Sequence, residues 1–152
     1  MMGAVRSPAV VALVVLVLVL PACGSREDAT SGGLEFIDAT MASVFPETTY
    51  VVESQSVICE WSGGEYRVGL QATFDLPADL DNPSSAVAEY WITRDDTDNV
   101  EFTDSRWARG NAHDALVTFG AHNDGVGYIS LQGGPCRDGA VKATSIVVTP
   151  GE

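Results

Sequence analysis

The chain has 152 residues, and its 8 basic and 21 acidic side chains give a formal net charge of −13. This length allows at most one ordinary domain with a short appendage, and a hydrophobic content of 45% indicates a globular chain. The acidic balance argues against a nucleic-acid-binding protein, because phosphates require a basic surface. It argues equally against electrostatic attraction to an anionic membrane surface.

The first 22 residues predict a secretory signal peptide. Arg6 lies ahead of an unbroken apolar run over residues 9–20, and small residues follow that run. As a helix the run would be about 18 Å long, which is too short for a bilayer core of about 30 Å. Pro21 and the polar residues after it end the run, so a transmembrane anchor is the less favoured alternative.

The end of this segment looks like a bacterial lipobox, formed by Leu20, Pro21, Ala22 and Cys23. The likeness implies cleavage before Cys23, which would then carry a thioether-linked diacylglyceryl group and often an acylated amine. Two or more chains are needed for stable attachment to a membrane. Polar and glycine-rich residues follow, so we predict a lipidated N-terminus and flexible tether over residues 23–33 and a single domain over 34–152.

Two cysteines, Cys59 and Cys136, remain once Cys23 is assigned to the lipid. An exported domain folds in an oxidising compartment, where two cysteines in a domain this small usually pair. The chain has no CxxC motif, and neither cysteine has a histidine at ligand spacing, which disfavours the alternatives of a redox or metal site. We therefore predict one disulfide.

Two amphipathic helices are predicted, over residues 34–45 and 83–95. Pro46 ends the first helix. The second has Pro83 at its first position and Asn82 as a candidate N-cap. Acidic residues crowd its C-terminal end, where negative charge opposes the helix dipole.

The remaining pattern predicts strands. Apolar and polar residues alternate, or β-formers cluster, over residues 50–61, 68–74, 100–107, 114–121 and 126–132. Residues 122–125 have the composition of a tight turn between the last two strands, and residues 140–149 have strand composition without a clear place. We therefore predict an α+β domain, with an antiparallel sheet of about five strands and two helices packed on one face.

The layout resembles the small secreted lipoproteins of mycobacteria and related actinobacteria, of the LppA-like type. The resemblance rests on the lipobox at Cys23, a helix ending in Phe45 and Pro46, the run of residues 56–59, the second helix, and the run of residues 130–136 before the final cysteine. It implies an envelope protein anchored by lipid to the extracytoplasmic face of the cell membrane, with one disulfide. It supplies no catalytic residues to carry over.

Catalytic signatures are sparse. The sequence contains neither GxSxG nor HExxH, and its only histidines are His113 and His122, which we interpret as solvated turn residues. An envelope hydrolase would have to use His113 as its base. That hypothesis requires a Ser or Asp side chain, other than that of the neighbouring Asp114, within hydrogen-bond reach of His113.

No metal or cofactor site is predicted. An acidic cluster is formed by Asp95, Asp96, Asp98, Glu101 and Asp104. An EF-hand loop starting at Asp96 would need a glycine where Glu101 stands. We therefore favour a solvated surface run over weak binding of a divalent cation.

One basic and aromatic segment stands out in this acidic chain. Trp107 is flanked by Arg106 and Arg109, which makes it the best candidate for an exposed recognition spot; the alternative is a strand-edge aromatic covered by an arginine stem. We predict a lipid-anchored, non-enzymatic module that binds an unknown envelope protein or ligand. The alternatives are a carrier that holds a lipid or other hydrophobic ligand between helices and sheet, and, less favoured, the envelope hydrolase.

Overall fold

The computed structural model describes residues 26–59, 64–103, 106–139 and 143–150. The predicted signal peptide, the lipobox with Cys23, and Asp104 lie outside the described residues. Within them the chain forms two helices and seven strands: α1 (Arg26–Val44), β1 (Tyr50–Ile58), β2 (Glu65–Asp75), α2 (Pro83–Ile92), β3 (Thr97–Thr103), β4 (Trp107–Ala112), β5 (Ala115–Ala121), β6 (Val126–Asp138) and β7 (Thr144–Val148).

The strands form one antiparallel sheet in the order β3-β4-β5-β6-β2-β1-β7. The α+β class is confirmed, but the prediction of about five strands is wrong. The segment predicted as one strand over residues 100–107 is divided, because the chain turns after Thr103 and Trp107 begins a new strand. The C-terminal segment, which the sequence left without a clear place, adds β7 beside β1.

Both helices pack on one face of the sheet, which we call the covered face. Leu70, Ala72 and Phe74 on β2 are buried there, whereas Gln71 and Thr73 between them are partly exposed. The largest fully buried side chains come from both helices and the central strands: Trp91, Phe36, Phe45, Phe119, Ile37, Met41 and Ile129. The hydrophobic core therefore lies on this face alone among the described residues.

Aromatic contacts hold the helices in place. The ring of Phe45 lies 4.7 Å from that of Phe74, which joins the end of α1 to β2. Trp91 on α2 lies 5.7 Å from the ring of Phe36 on α1, and its indole N–H donates a hydrogen bond of 3.1 Å to the Thr40 hydroxyl. The polar end of a fully buried tryptophan is thereby satisfied.

The first helix is longer than predicted. It begins at Arg26, so the prediction of a flexible tether is wrong for the helical residues up to Gly33. Gly33 is buried, and a Cβ at this position would lie 2.6 Å from a methyl of Leu70 and 3.3 Å from one of Leu131. Glycine thus allows α1 to approach the sheet closely, and this tertiary contact outweighs the low helix propensity of glycine.

The second helix begins as predicted. The Asn82 side chain accepts a hydrogen bond of 3.2 Å from the backbone N–H three residues on, and Pro83 occupies the first turn. The helix ends at Ile92 rather than at residue 95, with Thr93 as its cap. The acidic residues that follow therefore lie outside the helix, and the predicted conflict with its dipole is reduced.

The predicted Cys59–Cys136 disulfide is confirmed. It joins the end of β1 to β6 across the intervening strand β2, with 6.1 Å between the two Cα atoms and 77 residues along the chain. β6 runs on to Asp138, so Cys136 lies within the strand rather than after it. Closing a loop of this length contributes about 4 kcal/mol in the chain-entropy model.

Candidate functional site

The opposite side of the sheet, which we call the open face, has no described helix or strand packed on it. Its side chains are the alternate residues of each strand, and those larger than glycine are partly or fully exposed. On the five strands from β1 to β4 its residues are Val51, Glu53, Gln55, Gly69, Gln71, Thr73, Tyr128, Ser130, Gln132, Leu116, Thr118, Gly120, Trp107, Arg109 and Asn111, with Asp98 and Glu101 added by β3.

Two aromatic residues, Trp107 and Tyr128, lie in one row across the open face. Each is in register with Gly120 on the strand between them. A Cβ at Gly120 would overlap the Tyr128 ring, so this ring covers the glycine. With strands about 4.8 Å apart, the tyrosine ring fills the gap towards Trp107. We call these two residues the aromatic pair.

Arg109 adjoins the aromatic pair. Its guanidinium carbon lies 5.4 Å from the centre of the Trp107 ring, within the range of a cation–π contact. The same guanidinium donates two hydrogen bonds to Glu101 on β3, of 2.7 and 3.0 Å. Of the three predicted partner-binding residues, Trp107 and Arg109 therefore share one site, while Arg106 is exposed in the turn before β4.

The middle of the open face carries no charge. On β2, β6 and β5 the polar side chains of this face are all amides or hydroxyls: Gln71, Thr73, Ser130, Gln132 and Thr118. We call them the uncharged strip. The sequence analysis missed this feature, although the signal was available as alternate positions of the predicted strands. In a chain with 21 acidic residues, such a charge-free area is the property that distinguishes this face.

A second cluster lies where α2 leads into the sheet. Arg94 donates hydrogen bonds of 2.7 and 2.5 Å to the two carboxylate oxygens of Asp96, and His113 Nε2 lies 3.0 Å from Asp96 Oδ2. The Arg94 hydrogen bond is the main reason that the pKa of Asp96 falls from 3.8 to about 2. In turn, Asp96 raises the pKa of Arg94. This arrangement is a partly buried ion pair.

His113 therefore has an Asp partner besides its neighbour, as the hydrolase hypothesis requires. The surrounding depression has a volume of about 610 Å³, and Thr97 is the one hydroxyl residue among its described lining residues. The Thr97 hydroxyl lies 3.4 Å from Asp96 rather than bonded to His113. The described residues thus show a base with its acid partner, and no nucleophile paired with that base. His122 lies elsewhere, with its ring 5.5 Å from that of Tyr128.

The acidic cluster is dispersed in the structure. Asp96 pairs with Arg94, Glu101 pairs with Arg109, and Asp98 accepts a hydrogen bond of 3.1 Å from Asn111. Among the described residues, no group of three or more His, Cys, Asp or Glu side chains is arranged to hold a metal ion.

The space between α1 and the sheet is small. A cavity lined by Gly33, Leu70 and Leu131 has a volume of about 110 Å³, whereas sites for drug-sized ligands occupy about 300–1,000 Å³. A depression beside Phe45 and Leu80 has about 260 Å³. Neither volume adds support to the carrier hypothesis.

Comparison with known proteins adds no relative: no family model, no curated protein and no solved structure matches this chain. Over the residues that the structure describes, neither helix is long and apolar enough to cross a membrane. The open face and its aromatic pair are therefore interpreted from their own chemistry.

Proposed function

We propose that this protein is a lipid-anchored binding module of a bacterial cell envelope, and that it binds its partner through the open face. In this proposal Cys23 carries the lipid, the domain lies on the extracytoplasmic side of the cell membrane, and the protein catalyses no reaction. The resemblance to actinobacterial lipoproteins of the LppA-like type belongs to the same proposal.

One observation carries the proposal: an uncharged, partly exposed surface holds Trp107, Tyr128 and Arg109 on a strongly acidic protein. Binding surfaces are depleted in charge at their centre and enriched in tryptophan, tyrosine and arginine. Side chains whose sole task is to keep a sheet face soluble are more often charged. The composition of the open face therefore favours recognition over simple solvation.

The position of α1 fits an anchor at Cys23. The helix begins three residues after Cys23, and Gly33 packs near the start of the helix against Leu70 and Leu131. Phe45, at the far end of a helix of about 28 Å, packs against Phe119, which neighbours Gly120 in the row of the aromatic pair. A lipid at Cys23 would thus leave the aromatic pair at the end of the domain away from the membrane.

The test of the anchor is the intact mass of the full chain expressed in a bacterium that processes lipoproteins. We expect a chain that begins at Cys23 and carries a diacylglyceryl group, and we expect Cys23→Ala to abolish this species. An unmodified chain that retains residues 1–22, or one cut without lipid, would contradict the anchor.

The test of the binding surface is co-sedimentation with insoluble actinobacterial cell walls. The lipidated full chain would be kept in a polyoxyethylene detergent, which contains no sugar. We expect retention of the wild-type protein and of the control Phe102→Ala, which removes an exposed aromatic residue from outside the open face. We expect Trp107→Ala to remain in solution. Equal retention of both variants, or no retention of any protein, would overturn the proposed surface.

A further inference from the structure

We infer that the open face binds a neutral polysaccharide, with the aromatic pair and the uncharged strip as its contact surface. This inference rests on the proposed function and names the chemical class of the partner. Three properties of the described residues carry it: the charge of the strip, the chemistry of the aromatic pair, and the shape of the surface.

The charge distribution favours a neutral ligand. The three central strands place no ionisable side chain other than that of Tyr128 on the open face. A polyanion would be repelled by a chain of net charge −13. A polycation would be drawn to the acidic margins, at Asp98 and Glu101, rather than to the middle of the face. The strip therefore fits a polymer that brings no charge of its own.

The side chains of the uncharged strip match hydroxyl groups. The amides of Gln71 and Gln132 each offer donors and an acceptor, and the hydroxyls of Thr73, Thr118 and Ser130 each do both. A sugar hydroxyl likewise donates and accepts. These side chains are partly exposed, so they can exchange water for sugar hydroxyls without leaving a buried polar group unpaired.

The aromatic pair supplies the apolar contact. One face of a sugar ring presents C–H groups, which pack against an aromatic ring, while Trp and Tyr also offer a polar end. The Tyr128 ring is held over Gly120, and the Trp107 ring has Arg109 beside it. Rings fixed in this way lose little conformational entropy when a ligand binds.

The shape of the surface favours a polymer over a small molecule or a protein. Five strands about 4.8 Å apart give a path of about 20 Å, whereas a small molecule needs a concave pocket. A protein partner would need a cluster of apolar anchors. The exposed large aliphatic residues on this side of the described sheet, Leu116 and Val147, lie far apart on β5 and β7.

Affinity electrophoresis tests the inference with defined probes. The lipidated full chain in polyoxyethylene detergent would be run through native gels that contain glucan, mannan or arabinogalactan, with polygalacturonate as the charged control polymer. We expect at least one neutral polysaccharide to retard the protein and polygalacturonate to have no effect. We expect Trp107→Ala and Tyr128→Ala each to weaken the retardation by about fivefold or more, and Phe102→Ala to retain it.

Three results would overturn the inference: no retardation by any neutral polysaccharide, retardation by polygalacturonate alone, or retardation that survives both aromatic substitutions. Circular dichroism of each variant separates loss of binding from loss of fold. Protease treatment of the cell walls distinguishes the two proposals. If digestion abolishes retention, the partner is a protein, so the polysaccharide is wrong and the binding module stands. If the untreated walls retain nothing, the proposed binding surface fails as well.

Discussion

The two faces of this sheet are built from the same strands and have opposite chemistry. On the covered face, Leu70, Ala72 and Phe74 contribute to a core that both helices close. On the open face, Gln71 and Thr73 from the same strand remain accessible. The side-chain alternation of a strand makes this division possible.

The contrast shows what each face is constrained by. Packing constrains the covered face, where volume and shape decide the free energy of unfolding. Solubility alone would fill the open face with charge in a protein this acidic, yet its centre has none. The open face is thus the region where the sequence departs from what stability requires, and such departures are expected at functional sites.

The two tryptophans give the largest expected difference between the faces. Trp91 is 0% exposed and hydrogen-bonded to Thr40, so Trp91→Ala should lower the free energy of unfolding by about 3–5 kcal/mol. Trp107→Ala on the open face should lower it by less than about 1 kcal/mol. Urea denaturation followed by circular dichroism measures both. If Trp107→Ala costs as much as Trp91→Ala, the open face is covered in the folded protein and the comparison breaks.

Two glycines sharpen the comparison at the level of a single methyl group. A Cβ at Gly133 on the covered face would overlap Cβ and Cα of Ala115, whereas one at Gly120 on the open face would overlap the Tyr128 ring. Gly133→Ala should cost about 1–3 kcal/mol, because paired backbones cannot separate cheaply. Gly120→Ala should cost less, because an exposed ring can turn away, but it should weaken cell-wall retention. Thermal unfolding and co-sedimentation of both variants check this, and equal unfolding costs would contradict it.

Acid titration tests the ion pair beside the covered face. The lowered pKa of Asp96, about 2, means that its charged form stabilises the fold. This contribution is complete above the ordinary pKa of 3.8 and is lost as the pH falls towards 2. Asp96→Asn should therefore cost about 1–2 kcal/mol at pH 5 and almost nothing at pH 2. A difference from wild type that stays constant between these two pH values would refute the assignment.

The smallest effect is expected for the ion pair of the open face. The side chains of Arg109 and Glu101 are 55% and 59% exposed, so water and salt screen their attraction. Glu101→Gln should change the free energy of unfolding by no more than about 0.5 kcal/mol. Denaturation at low and high salt measures it, with Asp96→Asn as the matched variant at the other ion pair. A larger loss would mean that β3 depends on this pair for its place in the sheet.

Local patterns predicted most of the elements. Asn82 and Pro83 placed the start of α2, because a cap and a fixed φ act within one turn. The turn over residues 122–125 is present, with a hydrogen bond of 2.8 Å from His122 N–H to the Val126 carbonyl. Strand edges were less accurate, since a turn after Thr103 has no glycine or proline to announce it.

The candidate site was predicted in part. Trp107 and Arg109 were selected because they are unusual in an acidic chain, and they do lie on one accessible surface. Tyr128 was missed, since its position beside Trp107 depends on the register of β4, β5 and β6. Register is set by which residues enter a common core, and that is a property of the whole sheet.

The sequence by itself determined the fold class, the disulfide and the start of α2, because each depends on composition, on a pair of residues or on one turn of chain. Tertiary structure alone decided that α1 begins at Arg26, that β7 joins the sheet, and that Tyr128 covers Gly120 beside Trp107. These features come from contacts between residues far apart in the chain. Their free energy exists only once the sheet has assembled.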